Sequence, residues 1–263
     1  MTPTSSVDSS AAEAAGAEYR RLRHWNTSLA FVHAAQAALI LALANGFTLP
    51  ITITFMTGPP GTATSTNTVY DLPIAPAVAA FLLLAAIDHV LMAAPRIHGW
   101  YERNLRRERN PARWWEYSIS ASLMIVLIAM YTGIGDLAAL IAIFGVNVAM
   151  ILFGLAMEYA NRPGEPVTWR PYLYGCVAGA VPWIAIAVQI GYSQAQTGDV
   201  PGFVFGIFAS LLVLFMSFAV NMALQYRRRG PWRSYLFGER AYLVLSLTAK
   251  SLLAWQIFFP TLM

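Results

Sequence analysis

The sequence predicts an all-α membrane protein: a seven-helix bundle with one β-hairpin outside the membrane. Three observations carry that prediction. The chain is 57% hydrophobic and 11% charged, whereas a soluble domain carries about 25% charged residues. Its apolar residues gather into seven runs, each near the ~20 residues a helix needs to cross the hydrocarbon core. Its arginines fall in alternate connections only, which is how topology, rather than an acidic partner such as nucleic acid, distributes positive charge. The single cysteine, Cys176, leaves no intrachain disulfide framework.

Taken in order, residues 1–20 are rich in Ser and Ala and poor in large apolar groups, so a disordered cytoplasmic tail is expected, turning helical near Glu13–Arg23. The tail lacks the apolar core of a cleavable signal peptide, and the first span is expected to act as its own insertion signal. Residues 21–263 form the membrane domain, with spans at about 25–46, 73–95, 113–132, 136–158, 171–193, 202–225 and 239–261. The third is the weakest, because its uncharged run begins only after Glu116. Between the first two spans, LPITITFMTG and TATSTNTVY alternate and flank Gly58-Pro59-Pro60-Gly61. That pattern predicts a β-hairpin within 47–72, serving as a cover for the bundle or as a dimer contact through a strand edge. Arginines precede span one and lie between spans two and three, four and five, and six and seven, while 47–72, 133–135 and 194–201 contain no Lys or Arg. The N-terminus is therefore expected in the cytoplasm and the C-terminus outside.

One basic residue breaks the pattern. Lys250, the chain's sole lysine, stands in the middle of the last apolar run. A lysine at a helix centre costs at least ~2.5–3.5 kcal/mol to insert, so it must be neutral, paired or covalently used. An amine desolvated in an apolar pocket attacks carbonyl compounds and forms a Schiff base. Once protonated, that imine is a buried cation and needs an acid beside it. Glu116 is the first candidate, sharing a helix face with Ser120 and Leu123/Met124; its plainer role is an interfacial pair with Arg113, one turn earlier. Asp88 is the alternative counterion. Ser246 lies one turn before Lys250, and the lysine stem should lean toward it. At 1.5 Å per residue, Lys250 is about 15 Å from its span's outer end and Glu116 about 24 Å from its own; the stem and helix tilt must close that gap.

Other polar and aromatic residues in the spans admit two readings each. His33, Gln36, Asp88 and His89 are either helix–helix hydrogen bonds or parts of a polar cluster on the cytoplasmic side. Asn147 sits at the centre of span four, and Glu158 at its end reads as interfacial. Pro182-Trp183 predicts a kink. The Phe-rich sixth span (Phe203, Phe205, Phe208, Phe215, Phe218) either packs and faces lipid or walls an elongated apolar ligand. No metal-ligand cluster, nucleophile–base pair or phosphate loop appears, so an enzyme is the least favoured class.

A central lysine on helix seven and a carboxylate on helix three suggest a retinal pocket. The E-Y-S-x-S-A-S-x-M stretch at Glu116–Met124 and the S-L-T-A-K-S-L-L-A-W stretch at Ser246–Trp255 resemble the heliorhodopsins. So does the inverted orientation. The resemblance covers about residues 24–263. It implies a rhodopsin-like bundle, all-trans retinal bound covalently on Lys250, Glu116 as counterion and Ser246 beside the imine. It also implies that His33 and His89 form a polar network near the counterion, and that the protein is a homodimer with a slow photocycle. Tyr117, Ser120, Met124, Asn147, Trp183 and Phe215 are the remaining candidates for the pocket wall. The expected function is a light sensor of the cell membrane without net pumping: Ser246 stands where ordinary microbial pumps carry a second carboxylate, and no ionisable residue lies within a span beyond Lys250. The unidentified signalling partner would meet the arginine-rich loops 96–113 and 226–240. A light-gated proton channel or weak light-driven proton transporter is the alternative.

Overall fold

The computed structural model describes the backbone from Ser5 and the side chains from Gly16 through Met263. Its elements run α1 (Ser5–Leu43), β1 (Thr48–Met56), β2 (Thr64–Pro73), α2 (Ile74–Ala93), α3 (Pro95–Leu105), α4 (Pro111–Tyr131), α5 (Leu137–Ala160), α6 (Arg170–Thr197), α7 (Gly202–Tyr226) and α8 (Tyr235–Ile257). Among the described residues, seven helices are long and apolar enough to cross a membrane, and they match the seven expected spans to within a few residues except at the start of the first. There the expected tail is corrected: helix is continuous from Ser5 through residue 20 into the first span. The Ser/Ala-rich composition that suggested disorder is also compatible with helix, Ala being the strongest helix former. Residues 1–4 of that tail lie outside the described residues.

Local chemistry sets the boundaries. Asn110 caps α4, its side chain accepting from Arg113 N at 3.2 Å with Pro111 at the first helical position, where the missing N–H costs nothing. Asp136 caps α5 through Ala139 N at 3.1 Å. Helix α6 runs through Pro182. Large apolar side chains on the outer faces, such as Phe31, Val177, Val188 and Val213, are exposed, as a lipid-facing surface requires. The inner faces meet in a core that includes Ile40, Phe81, Leu82, Ile128, Ile186, Leu211, Leu253 and Ile257.

The hairpin forms as an antiparallel pair, Thr48 opposite Pro73 and Met56 opposite Thr64, with an irregularity at Ile51/Thr52. Gly61 takes φ +95 in its turn, a conformation open to glycine. One edge is engaged within the chain: Thr52 N donates to Gly135 O at 2.8 Å and Thr54 N to Asp136 Oδ2 at 3.3 Å. Strand β1 is therefore stitched to the α4–α5 turn, leaving the outer edge of β2 free among the described residues. At the same end, Asn45 N donates to Leu262 O at 2.8 Å and the Tyr131 hydroxyl meets Thr261 Oγ1 at 2.8 Å, tying the ends of α1, α4 and α8.

Helix α3 was not anticipated. It lies between the second and third spans, burying Tyr101 and Leu105 and exposing its arginines. Short, charged and outside the apolar runs, it gave no membrane-span signal.

Candidate functional site

Lys250 occupies the middle of α8 and is 3% exposed. Its Nζ donates to Glu116 Oε1 at 2.9 Å and Oε2 at 3.1 Å, and to Ser246 Oγ at 3.1 Å. The ring of Tyr117 lies 5.0 Å from the same nitrogen. The axial gap between positions 116 and 250 is thus bridged by the lysine stem lying back along α8, the direction in which helix Cβ atoms tilt. Two of the nitrogen's three partners come from one carboxylate, so the amine is paired with a single acid. Asp88 is partly exposed and makes no ion pair among the described residues.

Arg113, the other cation that might have claimed Glu116, is engaged elsewhere. It is 4% exposed and donates to Glu158 Oε1 and Glu239 Oε2, both carboxylates being nearly fully buried. Asn110 supports both acids, its backbone N donating to Glu158 Oε2 at 2.7 Å and its side chain to Glu239 Oε1. Tyr235 adds a hydroxyl to Glu158 at 3.1 Å and Tyr101 one to Glu239 at 3.4 Å. Burial, with the Glu239 carboxylate adding to it, holds the Tyr101 phenol well above its ordinary range. The interfacial reading of Glu158 is corrected: it is a core residue. Glu239 is a further buried acid of the site, near the start of α8, that the sequence analysis does not single out.

A cavity of about 460 Å³ opens beside the Lys250 amine, within the ~300–1,000 Å³ of small-molecule sites. Tyr117, Ser120, Met124, Trp183, Phe215, Ser246 and Lys250 all line it. So do Phe208 and Phe218, from the Phe-rich span expected either to pack or to wall a ligand, and Trp114, Met150, Gly154 and Tyr242, which gave no sequence signal. Trp183 meets Phe208 and Phe215 edge-on, at centroid distances of 5.8 and 5.3 Å. The lining reaches the outer surface at Ile184 and Met216, which are exposed. Gly154 sets one wall: a Cβ there would sit 2.2 Å from the Trp114 ring. Asn147 is corrected out of the lining. Its side chain donates to Ser122 Oγ at 2.9 Å and joins α5 to α4. Of the phenylalanines, Phe203 packs on Tyr131 and Phe205 is exposed.

His33 and His89 stack at 5.7 Å with 10° between their planes. His89 Nδ1 meets Asn26 Oδ1 at 2.8 Å, whereas neither nitrogen of His33 has a partner among the described residues. Gln36 accepts from Trp255 Nε1 at 3.1 Å, farther along α1.

The cavity suits an elongated polyene aldehyde. Its walls are aromatic and aliphatic, a paired amine stands at its edge, and the buried Ser120 hydroxyl that lines it has no protein partner among the described residues. Solved structures share the architecture. Exiguobacterium sibiricum rhodopsin aligns with a TM-score of 0.63 at 16% identity, over 91% of this chain and 95% of that one. A light-driven proton pump from Leptosphaeria maculans gives 0.64 at 16%, over 90% and 93%. The light-driven proton pump of Coccomyxa subellipsoidea gives 0.63 at 18%, over 92% and 96%. No curated protein matched the sequence. The fold is thus that of the seven-helix rhodopsins, and the chain is a multi-pass membrane protein. A model of the heliorhodopsin family matches residues 22–262, and the chain belongs to that family. Membership makes it a retinal photoreceptor.

Proposed function

We propose that this chain senses light without net ion pumping, holding all-trans retinal on Lys250 as a protonated Schiff base with Glu116 as its counterion. The observation that carries the reading is the isolated Lys250–Glu116 pair at the edge of an apolar cavity. Bound retinal supplies visible-light absorption and a bond that isomerises on excitation. Lys250 supplies the nitrogen. Glu116 balances the positive charge, and because that charge is buried the carboxylate sets both its stability and the pigment's colour. Ser246 fixes the nitrogen's orientation from one turn away. Trp183, Phe208 and Phe215 clamp the polyene's space, and Tyr117 offers its ring face to the cation.

The stacked His33–His89 pair would, with retinal bound, take up a proton released on the cytoplasmic side of Lys250 and give it back to that side. Toward the hairpin end the core residues Ile40, Leu82, Ile128, Leu253 and Ile257 are apolar and fully buried, which supports a reading without a proton exit on that side. The N-terminus is cytoplasmic, following the arginines. The loops 96–113 and 226–240 are the output surface toward a cytoplasmic partner, and the free edge of β2, with Val69 and Tyr70 exposed, is the homodimer contact. In this reading residues 21–263 act as one photosensory domain with no enzymatic activity.

Two measurements test this. Adding all-trans retinal to the apoprotein should produce a visible band; its absence sinks the photoreceptor. Illuminating cells or liposomes at low buffer capacity should leave the pH unchanged, and a protonophore-sensitive change would overturn the non-pumping claim.

A further inference from the structure

The cluster around Arg113 has no task in the light-sensing scheme, and its charges do not balance. One guanidinium faces two carboxylates, with side chains 4%, 2% and 0% exposed. The titratable and charged groups that face the pair come from every packed neighbour: Tyr101 on α3, Arg113 on α4, Tyr226 on α7, Tyr235 and Tyr242 on α8, and Asp88 on α2. Arg113 is the sole cation among these. Lys250 is committed to Glu116. An unbalanced buried charge costs several kcal/mol, and a carboxylate so placed takes up a proton instead.

We propose that Glu158 and Glu239 together hold one exchangeable proton, making the Arg113 cluster a proton-binding site distinct from the Lys250 site. The hydrogen bonds fit two states. Arg113 and both nitrogens of Asn110 only donate. Each acid also has one reversible partner, a tyrosine hydroxyl that donates to a carboxylate and, turned round, accepts from a carboxyl: Tyr235 for Glu158, Tyr101 for Glu239. Exchange with solvent has a route. Tyr235 also lines a polar cavity of about 40 Å³ with Glu108, Asn161, Arg162, Glu165 and Arg228, roomy enough for a water. A second observation marks the site as polar beyond its ion pairs. Trp114 Nε1 is buried without a hydrogen-bond partner among the described residues, its indole facing Glu158, and the Tyr242 ring covers the Arg113 guanidinium. Both rings also wall the large cavity, so a change of shape there reaches the proton site. That link rests on the photoreceptor reading; the proton site does not.

Infrared spectra of the purified full chain in the dark at neutral pH test it, with the visible band recorded on the same samples. The wild type should show the C=O stretch of a buried protonated carboxyl. Replacing either acid restores one-to-one balance, so Glu158→Gln and Glu239→Gln should each lose that band. Its persistence in either variant when Asp88→Asn is also present, or its absence from wild type, overturns the proposal. A missing visible band with the infrared result intact would count against the pigment alone. Should a variant fail to fold, carbon-13 labelling of glutamate carboxyls in the wild type answers the same question: one buried resonance should sit at the protonated position, and none there overturns the site.

Discussion

Removing the guanidinium at position 113 should destabilise the bundle far more than removing an arginine from its surface. In Arg113→Gln the acid pair loses the one cation it meets among the described residues, where none of the three side chains exceeds 4% exposure. Breaking a buried pair by deleting one partner costs about 3–5 kcal/mol, because the remaining charge is stranded. At about 2–4 °C per kcal/mol for a chain of this size, the melting temperature should fall by roughly 6–20 °C. Arg228 gives the contrast. It pairs with Glu108 at 2.8 Å, but the side chains are 50% and 32% exposed. Such a pair contributes ~0.2–1 kcal/mol, so Arg228→Gln should shift melting by less than about 4 °C. The assay is loss of helical circular dichroism in one detergent at one scan rate, since membrane proteins often unfold irreversibly and the midpoint then depends on rate. A third protein isolates charge from packing. With Glu158→Gln and Glu239→Gln added to Arg113→Gln, nothing ionised is stranded and most of the loss should be recovered. Equal melting of Arg113→Gln and Arg228→Gln, or no recovery in the triple variant, would refute the electrostatic argument.

Three further outcomes follow from the cavity and its pair. Lys250→Ala should abolish the visible band while leaving the helical circular dichroism intact; a band of unchanged position would show that the amine does not hold the chromophore. Glu116→Gln should move the band to longer wavelength, or let the pigment deprotonate at lower pH in a spectral titration, and an unchanged spectrum and titration would transfer the counterion role to Asp88. Gly154→Val should force the Trp114 ring into the cavity, since even a Cβ would lie 2.2 Å from it; overpacking of this kind costs about 1–3 kcal/mol, and retinal uptake, followed as growth of the band, should slow several-fold.

The spans were legible because lipid imposes one rule on every helix that crosses it: about 20 apolar residues, with backbone polar groups satisfied internally. The hairpin was legible from strict alternation around Gly58–Gly61, and α3 was not, because a short amphipathic helix at the surface obeys neither rule. Lys250 and Glu116 stood out for the same reason the spans did, as charges where charge is expensive. Asn147 stood out too, yet its amide is consumed by Ser122; sequence shows that a buried polar group must find a partner, but not which partner. Tyr101, Asn110 and Tyr235 gave no signal because their burial depends on α3 and on how α8 begins. Trp114 and Gly154 belong to the same class: a wall made by contact between two helices has no trace in either helix alone.

The two ion-paired sites depend on each other through the helix they share. Arg113 and Glu116 are one turn apart on α4, close enough to pair with each other as i, i+3 neighbours. Had they done so, Lys250 would have been left with Ser246 and an uncompensated charge. Glu158 from α5 and Glu239 from α8 prevent this by holding Arg113 on the far side of the Trp114 and Tyr242 rings, whose centroids lie 4.6 and 3.9 Å from its guanidinium carbon. The same α8 then presents Lys250 to Glu116 three turns later. Glu239 is thus what frees the acid for the amine, and the second acid beside Arg113, with the proton the pair holds, is the consequence of keeping the Lys250 pair one-to-one.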